Sequence, residues 1–179
     1  HVDKSSYFRR NHNSGDDNSD INYKTHTLHK KSDATVGGQV LSVLLQASVF
    51  SSLIIVQSPE SSSAWQQECT RWQQLHPEMI HSIQCADAAQ GMSHSIRSGV
   101  AYARNISAEA LMIVLADQPL IEAPYIEQLV IHSLQHPELD YVAATGSDGA
   151  APPIVFAARV WDQLEQLTGD QGARRLLSD

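Results

Sequence analysis

The stretch LMIVLADQPLI occupies residues 111–121 and decides how the rest of the chain is interpreted. It begins with five consecutive apolar residues, two of them β-branched, which predict a strand buried on both faces. Pro119 cannot donate a ladder hydrogen bond, so we expect the strand to end close to it. Asp117 then lies at the carboxyl end of a central strand, the edge at which open α/β sheets bind ligands.

The carboxylate of Asp117 has two interpretations. An acid after a strand can cap the next helix or lie in a solvated loop. It can also hold Mg²⁺ for a nucleotide, because this ion takes one or two carboxylates together with phosphate oxygens and water. The strand by itself leaves both interpretations open.

Composition limits the classes of partner. The chain has 179 residues, 42% of them hydrophobic, and a formal net charge of −8. We expect one domain over residues 1–179, and neither nucleic acid nor an anionic membrane as a partner. No apolar run reaches membrane-spanning length and no signal peptide is recognised, which favours a cytoplasmic protein. Cys69 and Cys85 are then expected to be reduced thiols.

Residues 1–35 differ from the remainder and form a polar, atypical front to the domain. Residues 11–20 are nearly all Asn, Asp, Ser and Gly, which predicts a mobile loop. His26 and His29 have the spacing of a metal-binding pair, but the sequence offers no third ligand. A solvated loop is therefore the preferred interpretation of both histidines.

Apolar periodicity after residue 35 predicts strands that alternate with helices. Strands are expected at residues 53–56, 79–85, 111–116, 140–145 and 154–156, with helices between them and after the last. Residues 146–153 are expected to form a turn or loop. Spacing predicts that Leu75 and Leu134 face the core from their helices. The alternation implies an α/β fold with a parallel or mostly parallel sheet and helices on both of its faces.

The segment GMSHSIRSG at residues 91–99 predicts a loop that runs into a helix. Gly91 allows the backbone to approach a ligand closely. Ser93 and Ser95, with the free N–H groups of the first helical turn, could hold a phosphate, a ribose or a base edge. A helix simply capped by serine is the alternative, and the spacing alone favours it.

The acid near the end of the chain, Asp170, also has two interpretations. It follows Gly169 and precedes a last apolar segment at residues 173–177, so a helix N-cap is the default. A second metal ligand is the alternative.

Several segments resemble one family, in order and in spacing. GMSHSIRSG and LADQPL, at residues 91–99 and 115–120, are similar to its Gly-Met-Ser-x-Ser-Leu-Arg-x-Gly and Leu-Ala-Asp-Gln-Pro motifs. PIVF and LTGDQGAR, at residues 153–156 and 167–174, are similar to its Pro-x-x-Phe and Gly-Asp-x-Gly-Ala-Arg endings. The family is that of the molybdenum cofactor nucleotidyltransferases, most closely the cytidylyltransferase branch, and the resemblance spans about residues 36–179.

The resemblance implies a fold, the Rossmann-like three-layer α/β/α sandwich of the nucleotide-diphospho-sugar transferase type with a mostly parallel sheet, and a reaction. CMP would pass from CTP to the phosphate of a molybdopterin cofactor, with release of pyrophosphate. Asp117 would hold Mg²⁺ as a catalytic residue, and Asp170 would be a second acid near the metal. Arg174 would face the acceptor phosphate or support the fold.

The same resemblance implies the nucleotide contacts. Gly91, Ser93 and Ser95 would lie along the nucleotide. The family begins with a hydrophobic strand and a triphosphate-binding loop, Leu-Ala-Ala-Gly-x-Ser-x-Arg-x-Gly, followed by a lysine. This chain instead has SSYFRR at residues 5–10, and Lys24 would take the place of that catalytic, nucleotide-binding lysine, helped by Arg9 or Arg10.

Three hypotheses follow. The leading one is a Mg²⁺-dependent nucleotidyltransferase that uses CTP or another nucleoside triphosphate. The departure at the front motivates a rival: a catalytically weak homologue that binds nucleotide or molybdenum cofactor and delivers it to a partner molybdoenzyme. The third keeps the chemistry but uses another phosphorylated small molecule as acceptor.

Overall fold

A computed structural model describes residues 5–9, 34–146 and 149–177 of the chain. Strands and helices alternate along most of it. The strands are β1 Ser5–Arg9, β2 Ser52–Gln57, β3 Ile80–Gln84, β4 Ala110–Ile113, β5 Tyr141–Gly146 and β6 Gly149–Ala157. The helices are α1 Val36–Gln46, α2 Ser63–Leu75, α3 Met92–Asn105, α4 Ala123–Gln135 and α5 Trp161–Glu165, with short 3₁₀ turns at Ala88–Gln90, Ala158–Val160 and Ala173–Leu177.

The strands form two hydrogen-bonded groups, in the orders β1-β2-β3 and β4-β6-β5. Strand β2 runs parallel to β3, with Leu53 opposite Ile80, whereas β1 is antiparallel to β2. Strand β6 is antiparallel to both β4 and β5, so these two run in the same direction. Strand β1 also contacts β4, and the two groups therefore adjoin.

Helices cover both faces of the sheet. In β4 and the residue that follows it, Met112 and Val114 join a buried cluster with α1, α2 and α4, whereas Leu111 and Ile113 join a second cluster with α3 and α5. This division follows from the two-residue period of a strand, which sends successive side chains to opposite faces. All four side chains are at most 1% exposed. The predicted strand buried on both faces is confirmed, and with it the α/β class.

The sheet contains more antiparallel strand pairs than the mostly parallel sheet that the sequence predicts. Among the hydrogen-bonded pairs in the described residues, only β2–β3 is parallel. The reason is that β6 follows β5 after only residues 147 and 148, and a connection this short joins antiparallel neighbours. By lying between β4 and β5, strand β6 makes both of their pairings antiparallel.

Side-chain caps fix where the first two helices begin. Thr35 Oγ1 accepts from the Gly38 N–H at 3.1 Å and itself donates to Glu68 Oε2 at 2.5 Å. Glu68 is only 8% exposed, so it ties the start of α1 to α2 from inside the fold. Ser62 Oγ accepts from the Trp65 N–H at 3.3 Å and begins α2 in the same way.

The structure corrects two predictions of core residues. Leu75 is 58% exposed and Leu134 is 42% exposed, although their spacing predicts that both face inward. Both lie in the last turn of their helices, α2 and α4. Periodicity identifies the face of a helix that meets the core, but it does not indicate how far the covering layer extends along the helix.

The loop predicted at residues 146–153 is also corrected, because β6 already begins at Gly149. Ala143 of β5 lies opposite Ile154 and Ala144 lies opposite Ala151, so residues 152 and 153 have no partner across the ladder. They form a bulge, a position that suits proline because proline has no N–H to pair. No helix in the described part of the chain is long and apolar enough to cross a membrane.

Candidate functional site

Asp117 lies in a turn that follows the end of β4. The Gln118 N–H donates to the Leu115 carbonyl at 3.3 Å and closes this turn. Ala116 is buried, whereas Asp117 is exposed. The carboxylate therefore stands beyond the end of a central strand, as the sequence predicts, where a ligand can reach it.

Gln118 fastens this turn to the neighbouring strand. Its Nε2 donates to the Pro152 carbonyl at 2.9 Å, and its Oε1 lies 3.4 Å from the N–H of Leu115. The Pro152 carbonyl belongs to the bulge of β6. Sequence reasoning missed this role of Gln118, and the only signal was its place next to Asp117 in the LADQP segment.

An open cleft of about 480 Å³ lies beside Asp117. Its lining comes from the turn after β4 and the start of α4, namely Asp117, Gln118, Pro119, Leu120, Ile121, Glu122 and Tyr125. Burial raises the pKa of the Tyr125 phenol, while a hydrogen bond from the backbone of Ala144 opposes that rise. Leu120 is 91% exposed, so the cleft presents an apolar side chain to solvent beside its acids.

The start of α3 meets the end of the chain. Gly91 is the N-cap residue of α3 and has φ 132°, a conformation that favours glycine. A Cβ on Gly91 would lie 2.3 Å from the backbone carbonyl of Gly169 and 2.7 Å from the N of Asp170. The Ser93 N–H also donates to the Gly169 carbonyl at 3.1 Å. Two of the motifs noted in the sequence are therefore in direct contact.

The two serines of this segment are buried. Ser93 is 0% exposed and Ser95 is 5% exposed. Within the described residues, Ser93 Oγ has no hydrogen-bond partner. The N-cap residue of α3 is Gly91, and no side chain in the described part of the chain caps the helix, so the simple serine-capped helix is wrong. Contact between these serines and a nucleotide stays a prediction.

Asp170 is exposed and lies in a tight turn. The Gln171 N–H donates to the Thr168 carbonyl at 3.1 Å, and the Thr168 N–H donates to Gln171 Oε1 at 3.1 Å. The last helical turn begins only at Ala173, which is too far along the chain for Asp170 to be its N-cap. The default interpretation of Asp170 is therefore wrong, and its metal role stays a prediction.

The donor chemistry of Asp117 fits a divalent cation that arrives with its substrate. The described residues contain no group of three or more His, Cys, Asp or Glu side chains that could hold a metal. Mg²⁺ does not need such a group, because it keeps several waters and binds through one or two carboxylates plus substrate phosphates. An exposed carboxylate beside an open cleft meets that requirement.

The whole C-terminal part of the chain, from residue 27 to residue 179, matches the MobA-like NTP transferase domain. The chain belongs to this family. The resemblance recognised in the sequence motifs is thereby confirmed.

One curated relative matches part of this MobA-like domain in sequence. The chain is 37% identical over 93 residues to the purine catabolism protein PucB of Bacillus subtilis, a match that covers 52% of this chain and 43% of PucB. The matched region thus spans less than half the length of that relative.

Solved structures resemble this MobA-like domain in fold. Rv0371c of Mycobacterium tuberculosis, crystallised with manganese, aligns over 85% of this chain and 74% of its own, with a TM-score of 0.62 and 22% identity. A homologue of Rv0371c from Mycobacterium sp. strain JC1 aligns over 84% of this chain and 70% of its own, with a TM-score of 0.60 and 21% identity.

The predicted front of the site in this MobA-like domain lies mostly outside the described residues. This applies to Lys24, Arg10, His26, His29 and the segment 11–20. Arg9 ends β1, where its backbone lies opposite Ser52 of β2. Of the other predicted site residues, Arg174 is exposed on the last helical turn. The roles of Lys24, Arg9 and Arg10 in binding phosphate stay predictions.

Proposed function

We propose that this MobA-like domain is a divalent-metal-dependent nucleotidyltransferase that transfers CMP from CTP to a phosphorylated acceptor of the molybdopterin type. The observation that carries the proposal is the exposed carboxylate of Asp117 in the open cleft at the end of β4. In open α/β sheets this edge is the ligand-binding edge. Membership of an NTP transferase family supports the choice of a nucleoside triphosphate as donor.

The reaction requires little covalent help from the protein. An oxygen of the acceptor phosphate attacks the α-phosphorus of CTP and forms a new P–O bond. The bond from that phosphorus to the bridging oxygen breaks, and pyrophosphate leaves with the electron pair. The protein must align these groups and offset their negative charge.

In the proposal, Asp117 and Asp170 are the carboxylates for the metal. Mg²⁺, when bound, would offset charge on the phosphates. The start of α3 carries partial positive charge, which suits a position near anionic parts of the nucleotide, although the N–H groups of Gly91, Ser93 and His94 already donate to backbone carbonyls. The chain has a net charge of −8, so its affinity for an anionic substrate has to come from such local groups.

The proposal also assigns roles to the remaining predicted site residues and to the acceptor. Lys24, with Arg9 or Arg10, would contact the triphosphate, and Ser93 and Ser95 would lie along the nucleotide. The acceptor would be of molybdopterin type and its product would serve a molybdoenzyme. Another phosphorylated small molecule as acceptor is the alternative outcome of the assays below.

Calorimetric titration tests the donor. CTP, GTP and ATP are each titrated into the chain with EDTA, with Mg²⁺ and with Mn²⁺. Binding of CTP that requires the metal supports the proposal, and equal binding of all three nucleotides contradicts the choice of CTP. Pyrophosphate release is then measured with molybdopterin cofactor and with sugar phosphates as acceptors.

A non-catalytic role is the second candidate. It is favoured by one observation, that residues 5–10 read SSYFRR where the family has its glycine-containing phosphate loop. A homologue of this kind would bind nucleotide or molybdenum cofactor and release no pyrophosphate. Tight cofactor binding without turnover, in the full chain and with every acceptor, would favour delivery to a molybdoenzyme.

A further inference from the structure

Residues 167–172, here called the C-terminal loop, lie against the first two turns of α3. The first residue of the loop, Leu167, and the residue that follows the loop, Ala173, are fixed in the core, because they are 3% and 2% exposed. Between them, Gly169 accepts a hydrogen bond from the Ser93 N–H. The exposed Asp170 is thus presented from a short loop whose position depends on α3.

Arg97 is a side chain of α3 that is hydrogen-bonded to this loop, which Met92 of the same helix also approaches at Gly172. Its Nη1 donates to the Leu167 carbonyl at 2.6 Å, across 70 residues of sequence. Its Nη2 lies 3.0 Å from His94 Nδ1, which accepts because a guanidinium can only donate. Both ends of the guanidinium are therefore held, one by the helix and one by the loop.

The guanidinium shape matters for this contact. Arginine presents several N–H donors in a planar fork, whereas a lysine ammonium is a single point of charge on a flexible stem. One side chain can then fix the helix surface and the loop carbonyl together. The loop also has an internal hydrogen bond, from the Thr168 N–H to Gln171 Oε1, which spans Asp170.

We propose that Arg97 is a positioning residue, which sets the place of Asp170 at the start of α3 by holding the C-terminal loop. The functional part of this inference rests on the proposed nucleotidyltransferase activity. In this positioning role, Arg97 makes no contact with substrate. The Leu167 carbonyl transmits its effect to Asp170.

A matched control lies on the same helix. Arg104 also joins α3 to the end of the chain, through Asp162 and Glu165 of α5, but its side chain is 42% exposed. Its partners precede the C-terminal loop. Arg97→Met and Arg104→Met therefore remove equal charge and similar volume from α3, and only the first releases the loop. Arg97→Lys is the conservative variant, in case Arg97→Met folds poorly.

Amide hydrogen exchange tests the positioning part on the full chain without any nucleotide. We expect exchange of the Ser93 amide and of residues 168–172 to become faster by about tenfold or more in Arg97→Met, and to stay at the wild-type rate in Arg104→Met. Arg97→Lys is expected to fall between them. Equal protection of the C-terminal loop in wild type and both Arg97 variants would overturn the inference.

Titration with Mn²⁺ at fixed CTP tests the functional part. The Mn²⁺ concentration needed for half-maximal CTP binding is expected to rise by about ten- to a hundredfold in Arg97→Met and to stay unchanged in Arg104→Met. Such an effect is expected of a residue that orients a metal ligand through another group. A general loss of stability would not raise the metal requirement selectively. Unchanged metal dependence in Arg97→Met would reject the functional part. If the wild type binds no nucleotide, the proposed function fails, while the exchange experiment still decides the role of Arg97.

Discussion

Gly91 and Gly169 pack backbone to backbone, so that a Cβ on Gly91 would lie 2.3 Å from the carbonyl carbon and oxygen of Gly169. No larger residue fits at Gly91 without moving the C-terminal loop. The same approach allows the Ser93 N–H to reach the Gly169 carbonyl. The contact between the two motifs therefore depends on the absence of one side chain.

Substitution of Gly91 tests this contact. Gly91→Ala combines the backbone clash with φ 132°, and we expect it to lower the free energy of unfolding by about 3 kcal/mol or more. Gly169→Ala is the control, since its φ is 55° and a Cβ there meets nothing within 4 Å. It should cost only about 1 kcal/mol. Urea unfolding measures both, and equal costs would contradict the close packing.

Asp117 is expected to be needed for turnover and dispensable for folding. Asp117→Asn removes the charge that would face the metal, so pyrophosphate release should fall by about a hundredfold or more. The side chain is exposed, so stability should stay within about 0.5 kcal/mol of wild type. Glu122→Gln, in the same cleft, is the control and should keep most activity. Full activity in Asp117→Asn would reject the metal role.

A nucleotide-binding role of the buried serines can be distinguished from a purely structural one. Ser93 Oγ has no partner among the described residues, so Ser93→Ala removes no hydrogen bond and should change stability by less than about 1 kcal/mol. If a nucleotide supplies the missing partner, CTP binding should still weaken. Ser95→Ala is measured beside it, by calorimetry and by urea unfolding. Wild-type affinity in both variants would remove the serines from the site.

The hydrogen bonds of Gln118 should hold the Asp117 turn in place against β6. Gln118→Met keeps the length of the side chain and removes its bonds to Leu115 and Pro152, with an expected loss of about 1–2 kcal/mol in stability. Pyrophosphate release should fall as well, because the turn loses its attachment. Gln128→Met, at an exposed position on α4, is the control and should change neither quantity.

The buried thiol of Cys69 predicts a loss of stability at alkaline pH. Burial, reinforced by the nearby carboxylate of Glu68, raises the pKa of Cys69 from 9.0 to about 12. Above pH 9 the unfolded thiol loses its proton while the folded thiol keeps it, so stability falls as the pH rises toward 12. Urea unfolding should show wild type losing about 1.4 kcal/mol more than Cys69→Ala between about pH 8 and about pH 10. Cys85→Ala should lose as much as wild type.

Local signals in the sequence were sufficient for the strand that carries Asp117. A run of apolar residues that stops at Asp117, shortly before Pro119, predicts both the burial of the strand and the position of the acid at its carboxyl end. The caps Thr35 and Ser62 at the beginnings of α1 and α2 are signals of the same local kind, but the predictions above do not include them. Such features depend on neighbours in sequence, which is why periodicity and capping rules are able to find them.

Features that depend on distant parts of the chain could not be predicted in this way. Nothing near Gly91 in sequence indicates that it meets Gly169, and nothing near Arg97 indicates that its acceptor is the Leu167 carbonyl. The exposure of Leu75 likewise depends on the extent of the neighbouring layer. The strand character of residues 149–153 was hidden by Pro152 and Pro153, which favour a loop until a bulge accommodates them.

The insertion of β6 between β4 and β5 has a consequence for biosynthesis. The ribosome delivers β4 and β5 first, and each keeps an unpaired edge toward the gap until the following strand is made. The nascent chain therefore exposes the apolar edge of β4 until residue 157 has emerged. Translation that stops earlier leaves the strand leading to Asp117 without its partner β6, and an unpaired strand edge of this kind is a template for pairing with other chains.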